Sequence, residues 1–138
     1  MATTRDTATF DEIISIFKES PVSNPFCHVE LNTNDVNKAK TFYTRLFDWK
    51  LEDVPDGSYS MIRVGEGTGG GLMKNPIPDG PSFWLAYVLV DDIEAATKKA
   101  KSLGATVMKD VMPVMDYGWL SIITDPTGAA LGLWKPKT

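Results

Sequence analysis

Hydrophobic and polar positions along this chain switch between two periods, and the switches repeat. The stretch "CHVELNTNDVNKAKTFYTRLF" opens as a strand, passes an Asn/Asp turn and continues as a helix with Val36, Ala39, Phe42, Tyr43 and Leu46 on one side. Fifty-seven residues later "LAYVLVDDIEAATKKAKSLGA" repeats the order, Asp92 answering Asp35, Ile93 answering Val36, Ala96 answering Ala39 and Leu103 answering Leu46. Each half then runs through three short strands, "WKLEDV", "SYSMIRV" and "GGLMKN" in the first and "TVMKDV", "GWLSIIT" and "AALGLW" in the second. By then the offset has grown to 60, with Pro136 answering Pro76, so the three added residues belong in a hairpin loop. The unit is βαβββ, twice. The fold class is α+β, with the two units' sheets paired side by side into one curved mixed sheet around a cleft.

Upstream, "FDEIISIFKES" carries Phe10, Ile13, Ile14 and Phe17 at helical spacing, Thr9 and Glu12 form a capping box, and Pro21 and Pro25 end the segment. The organisation is an N-terminal extension over 1–24 with an extra amphipathic helix, then a single domain over 25–138. Repeat one spans about 25–76 and repeat two about 82–136. A chain of 138 residues, 43% hydrophobic, suits one core without a disulfide or structural metal. A net charge of -4 argues against nucleic acid, whose binding draws most of its affinity from Lys and Arg on phosphates. The longest apolar run, "FWLAYVLV", is too short to cross a bilayer, and "MATTRDTATF" lacks the apolar stretch of a signal peptide. With one cysteine, Cys27, and no partner for it in the chain, the expectation is a cytoplasmic protein without a membrane partner.

The chemistry centres on His28, the only histidine, and Glu30, which shares its strand face because side chains alternate with period two. A carboxylate beside an imidazole raises its pKa and orients it as a general base; alternatively the two polar groups satisfy each other or their neighbours. Tyr87 sits on the same face as Leu85 and, by the repeat, points into the same cleft as Glu30. Methionine and aromatic residues on the concave side would line a dry, adaptable pocket for a planar or apolar ligand. The expected ligand-binding set is Tyr87, Leu85, Met73, Trp119, Trp134 and Arg63. Whether "SYSMIRV" presents Tyr59, Met61 and Arg63 or the alternate set stays open, and Arg63 in the cleft would select an anion. "GEGTGGG" lies between strands with no helix after it, so it reads as a hairpin loop and not a phosphate cradle.

Three segments, "HVELNTNDVNKAKTFYTRLFDW", "VDDIEAATKKAKSLGA" and "ITDPTGAALGLW", occur in the order found in the vicinal oxygen chelate superfamily, and residues 25 to 136 resemble it. That superfamily includes glyoxalase I, methylmalonyl-CoA epimerase, extradiol dioxygenases and the bleomycin and fosfomycin resistance proteins. The resemblance implies four metal-ligand places, one at the start of each half's first strand and one on each half's last strand, filled by His, Gln or Glu in the enzymes. Here they fall on His28, Leu85, Leu72 and Gly132, so His28 is the only retained ligand position and no cofactor is expected, a divalent metal being the alternative. The leading functional expectation is therefore metal-free binding of an apolar or aromatic small molecule, comparable to the bleomycin resistance proteins. One alternative is an enzyme of lyase, isomerase or dioxygenase type using His28 and Glu30. The other is a structural or interaction module with a vestigial cleft. A homodimer follows from the resemblance and from the apolar stripe of the N-terminal helix.

Overall fold

Both periodicities become elements in the computed structural model, which describes residues 9–11 and 23–138. Repeat one consists of β1 (Phe26–Thr33), α1 (Val36–Leu46), β2 (Lys50–Asp53), β3 (Ser60–Arg63) and β4 (Gly70–Lys74). Repeat two consists of β5 (Phe83–Leu89), α2 (Ile93–Ser102), β6 (Thr106–Val114), β7 (Gly118–Thr124) and β8 (Ala130–Pro136). The helix expected from Phe10 to Phe17 lies, beyond Asp11, outside the described residues.

The strands form one curved mixed sheet in the order β2-β3-β4-β1-β5-β8-β7-β6. Its middle is the antiparallel pair β1 and β5, the first strand of each repeat, and each of these is flanked by its own last strand in parallel, β4 beside β1 and β8 beside β5. The four strands on which the sequence places its candidate chemistry are thus neighbours. Both helices start on an aspartate: Asp35 accepts from the Lys38 amide and Asp92 from the Ala95 amide, each at 3.0 Å, satisfying donors the first turn leaves free.

Alternation divides the sheet into two faces. Leu31, Ile62 and Leu72 form one buried cluster beneath α1, joined by Val36, Ala39, Tyr43, Trp49 and Leu51. Val90, Ile93 and Leu133 form a second beneath α2, joined by Ala96, Val111 and Trp119. Phe42 and Leu46, expected on the packed side of α1, are instead 56% and 55% exposed. The seam of α1 is Val36, Ala39 and Tyr43, and the two larger apolar residues stand beside it. β6 runs three residues beyond the strand read from "TVMKDV", carried by its pairing with β7 through a register shift.

Candidate functional site

The opposite face, against which neither α1 nor α2 packs, collects the polar residues of the central strands. Glu30 lies across from Leu85 on β5 and from Gly71 on β4, while Tyr87 lies across from Gly132 on β8. His28 is opposite Tyr87, after a register shift between Phe26 and His28 that leaves Cys27 as the extra residue. Such a bulge bends a strand and re-aims the side chains beside it.

Glu30 is the hub. It is buried, and its carboxylate accepts from Tyr59 Oη at 2.9 Å on Oε2, and from Asn32 Nδ2 at 3.3 Å and Tyr87 Oη at 3.5 Å on Oε1. Tyr59 Oη also lies 2.7 Å from His28 Nε2, with the two ring planes within 20° of each other. The Tyr87 ring meets the same imidazole edge-on, with centroids 5.9 Å apart. His28 and Glu30 therefore communicate through Tyr59 and share no bond of their own.

The electrostatics differ from the simple imidazole–carboxylate pair. Burial lowers the His28 pKa, the reverse of the rise expected from Glu30, because the ring has lost water while the carboxylate is directed at Tyr59. Burial raises the Glu30 pKa, opposed by the hydrogen bonds from Tyr59, Asn32 and Tyr87 and by the charge of Lys109. Both phenols are pushed well up, by burial first and by the charge of Glu30 second, which keeps them as donors. Burial also raises the Cys27 thiol, so it is not a poised thiolate.

The four ligand places implied by the resemblance can now be located. His28 has its Nε2 engaged by Tyr59, and Leu85 is buried on the cleft floor. In repeat one the last-strand place is Gly71 and not Leu72: Leu72 turns toward α1 and is 1% exposed, because the offset between repeats has grown by one more residue at that strand. At both last-strand places a glycine lies under a tyrosine. A Cβ on Gly71 would collide with the Tyr59 phenol, and one on Gly132 with the Tyr87 ring. One imidazole, one leucine and two glycines do not fit the divalent cation of the superfamily's enzymes, and among the described residues no group of three or more His, Cys, Asp or Glu could hold a metal.

Among the remaining candidates, Met73 lies opposite Asn32 and so on the cleft face, and Trp134 shares the face of Gly132, its indole lying against Gly118. Trp119 does not line the cleft. It packs with Val90, Ile93 and Leu133 beneath α2, with Lys135 Nζ 4.9 Å from its ring, since the register of β7 and β8 puts it on the helix-facing side. The strand choice left open is resolved as Tyr59, Met61 and Arg63, because Met61 is opposite Gly71. Arg63 lines a cavity of about 350 Å³ with Cys27, His28, Met61, Val64 and glycines of the β3–β4 loop, and its guanidinium is bonded to Glu52 at 2.6 Å. A larger, shallow depression of about 770 Å³ runs along α1 beside Lys38, Phe42 and Arg45, away from this network. Sequence reasoning missed Tyr59 and Asn32 as members of the network. The available signal was glycine at Gly71 and Gly132 inside strands, which marks the close approach of another group.

A model of the Glyoxalase/Bleomycin resistance protein/Dioxygenase superfamily matches residues 26–133. The chain is 40% identical over 114 residues to "Putative glyoxylase CFP32" of Mycobacterium tuberculosis, an alignment that covers 78% of this chain and 44% of that protein. It is 28% identical over 123 residues to "Anthracycline biosynthesis protein DnrV" of Streptomyces peucetius, covering 77% of this chain and 45% of that one. The chain thus spans about half the length of the curated relatives it matches. Among solved structures, methylmalonyl-CoA epimerase from Mycobacterium tuberculosis has a TM-score of 0.67 at 15% identity, covering 87% of this chain and 95% of that one. The hypothetical protein BH1468 from Bacillus halodurans C-125 has a TM-score of 0.64 at 17% identity, covering 85% and 97%. These two likenesses establish the fold. No described helix is long and apolar enough to cross a membrane.

Proposed function

This chain belongs to the glyoxalase/bleomycin resistance protein/dioxygenase superfamily, and from that premise we propose that its cleft binds an apolar or aromatic small molecule without a resident cation. Tyr87, Met73 and Trp134 supply contact area, while His28 and Glu30 fix how the ligand lies. The observation that carries this reading is the presence of Gly71 and Gly132 at the last-strand places with tyrosines seated over them, which puts phenols hydrogen-bonded to Glu30 where the enzymes of the fold use a metal ion.

The test begins with a ligand screen read by tryptophan fluorescence. The name of the Streptomyces peucetius relative makes a polycyclic anthracycline-type compound a fitting first probe. His28→Ala should weaken binding by about 1 to 3 kcal/mol, the cost of leaving a buried partner unpaired, with the fold kept. Protein purified without added metal should retain less than about 0.2 equivalents of divalent ion per chain. Stoichiometric metal that disappears in His28→Ala would sink the metal-free reading. A barren screen with a large fall in melting temperature for His28→Ala would make the cluster structural and favour an interaction module. Assembly as a homodimer belongs to the same proposal, and native mass spectrometry reads it directly.

A second reading rests on Tyr59. An imidazole linked through a phenol to a carboxylate can accept a proton from a substrate, so an enzyme of lyase or isomerase type would use His28 as its contact base with Glu30 behind it. The relative named a glyoxylase lends this reading its support. Turnover that falls together in His28→Ala and Glu30→Gln would establish it over simple binding.

A further inference from the structure

Tyr59 has one proton, and it points at Glu30 Oε2 over 2.9 Å. Its oxygen is therefore an acceptor toward His28, 2.7 Å away, so Nε2 carries the hydrogen of that bond. Burial keeps the imidazole neutral, and a neutral imidazole has only one N–H. Nδ1 is then a bare lone pair. No hydrogen bond from a described residue reaches it, and His28 is one of the residues lining the cavity of about 350 Å³ between β1, β3 and the glycine loop.

We propose that the occupant of this cavity is a phenol or enol whose hydroxyl donates to His28 Nδ1, and that Tyr59 is the positioning residue that fixes this nitrogen as the acceptor. The inference rests on the reading of the cleft as a small-molecule site: the cavity shares His28 and Met61 with the cleft face, while Tyr87, Met73 and Trp134 lie outside its lining. Two features select a weakly acidic hydroxyl on a flat body. Met61, Ile62 and Val64 offer apolar surface beside the polar backbone of the loop glycines, while Arg63 in the same lining is already paired with Glu52 at 2.6 Å. The chain Nδ1, Nε2–H, Tyr59 O–H, Glu30 ends on a carboxylate, and each bond polarises the next, so Nδ1 attracts an acidic O–H more strongly than a neutral amine N–H.

The single histidine makes the first test direct. Long-range ¹⁵N–¹H spectra of the uniformly labelled wild-type protein should report the Nε2–H tautomer, and an Nδ1–H signal would overturn the proposal. The second test is calorimetric titration with 2-naphthol and with 2-methoxynaphthalene, which has the same apolar body and no donor. Both should bind, the naphthol about tenfold tighter, as one added hydrogen bond predicts. Tyr59→Phe should mix the two tautomers and narrow the naphthol-to-ether preference by about their population ratio. Equal affinities in the wild type would reject the hydroxyl donor while leaving the apolar site standing; failure of both compounds to bind would reject the two together. Should Tyr59→Phe not fold, the tautomer and the naphthol-to-ether ratio of the wild type decide by themselves.

Discussion

The two βαβββ repeats share a topology and a capping aspartate, yet they are built for different tasks. Repeat two seats its helix more deeply: α2 buries Ile93 and Thr97, and Thr97 Oγ1 lies 2.9 Å from Ser121 Oγ on β7, a polar pair closed inside an aliphatic core. Repeat one is the chemical half. It supplies His28, Glu30, Asn32 and Tyr59, whereas repeat two answers His28 with Leu85 and Glu30 with Tyr87. No residue of α1 is fully buried, and the helix rests on a cluster of aromatic rings, Tyr43 with Trp49 at 5.5 Å and with Trp84 at 5.6 Å. A duplicated frame thus supplies a two-sided cleft, while the polar groups concentrate on one wall and Tyr87 reaches across from the other.

Between the two helix seats, the larger effect should come from that of α2. Leu133→Ala should cost about 2–5 kcal/mol in denaturant unfolding, as buried leucine truncations do, whereas Phe42→Ala on α1 should stay within about 0.5 kcal/mol. Comparable losses at both sites would erase the contrast. Next come the two glycines. Gly132→Ala must displace the Tyr87 ring, which is 4% exposed, and should cost about 1–3 kcal/mol. Gly71→Ala can be relieved by swinging out the half-buried Tyr59, so it should cost less stability but release His28 from its tautomer. If Gly71→Ala proves the more destabilising, Tyr59 is held as firmly as Tyr87 and the two walls are equal.

Much of this frame was legible because hydrophobic period and capping chemistry are local. Asp35 and Asp92 announce their helices, and β7 was read from "GWLSIIT" to the residue. The site was harder, because it depends on register and on a bridging side chain. Counting by the repeat offset selected Leu72, but one residue's slip between strands exchanges the faces, and Gly71 holds the place. Trp119, expected at the cleft from its aromatic character alone, faces α2 because the register of β7 with β8 decides its side. Nothing local joins Tyr59 to Glu30, which are 29 positions apart, so the expected direct effect of the carboxylate on His28 was replaced by a bridge.

The caps test the symmetry that the repeats do retain. Asp35→Ala and Asp92→Ala should each cost about 1 kcal/mol, and a clearly unequal pair would show that the looser seat of α1 changes the value of its cap.

The smallest expected effect is the pH dependence that the chemical half imposes. His28 has a folded-state pKa below the ordinary 6.5, so the unfolded chain binds its proton more readily; its contribution to stability is full above that value and is lost as the pH falls through it. Glu30 has a folded-state pKa above the ordinary 4.5, so its sign is opposite: the folded protein takes up the proton first, and stability is lost as the pH rises from about 4.5 through the folded value. The two slopes oppose each other where the shifts overlap, between about pH 6.5 and about pH 4.5. His28→Gln removes the loss on acidification, so the variant's unfolding midpoint should fall less than that of the wild type. Glu30→Gln removes the compensating gain, so its midpoint should fall more. Parallel midpoints for all three proteins across that range would mean that neither group's environment changes on folding, and the cleft of repeat one would be as electrostatically inert as the core of repeat two.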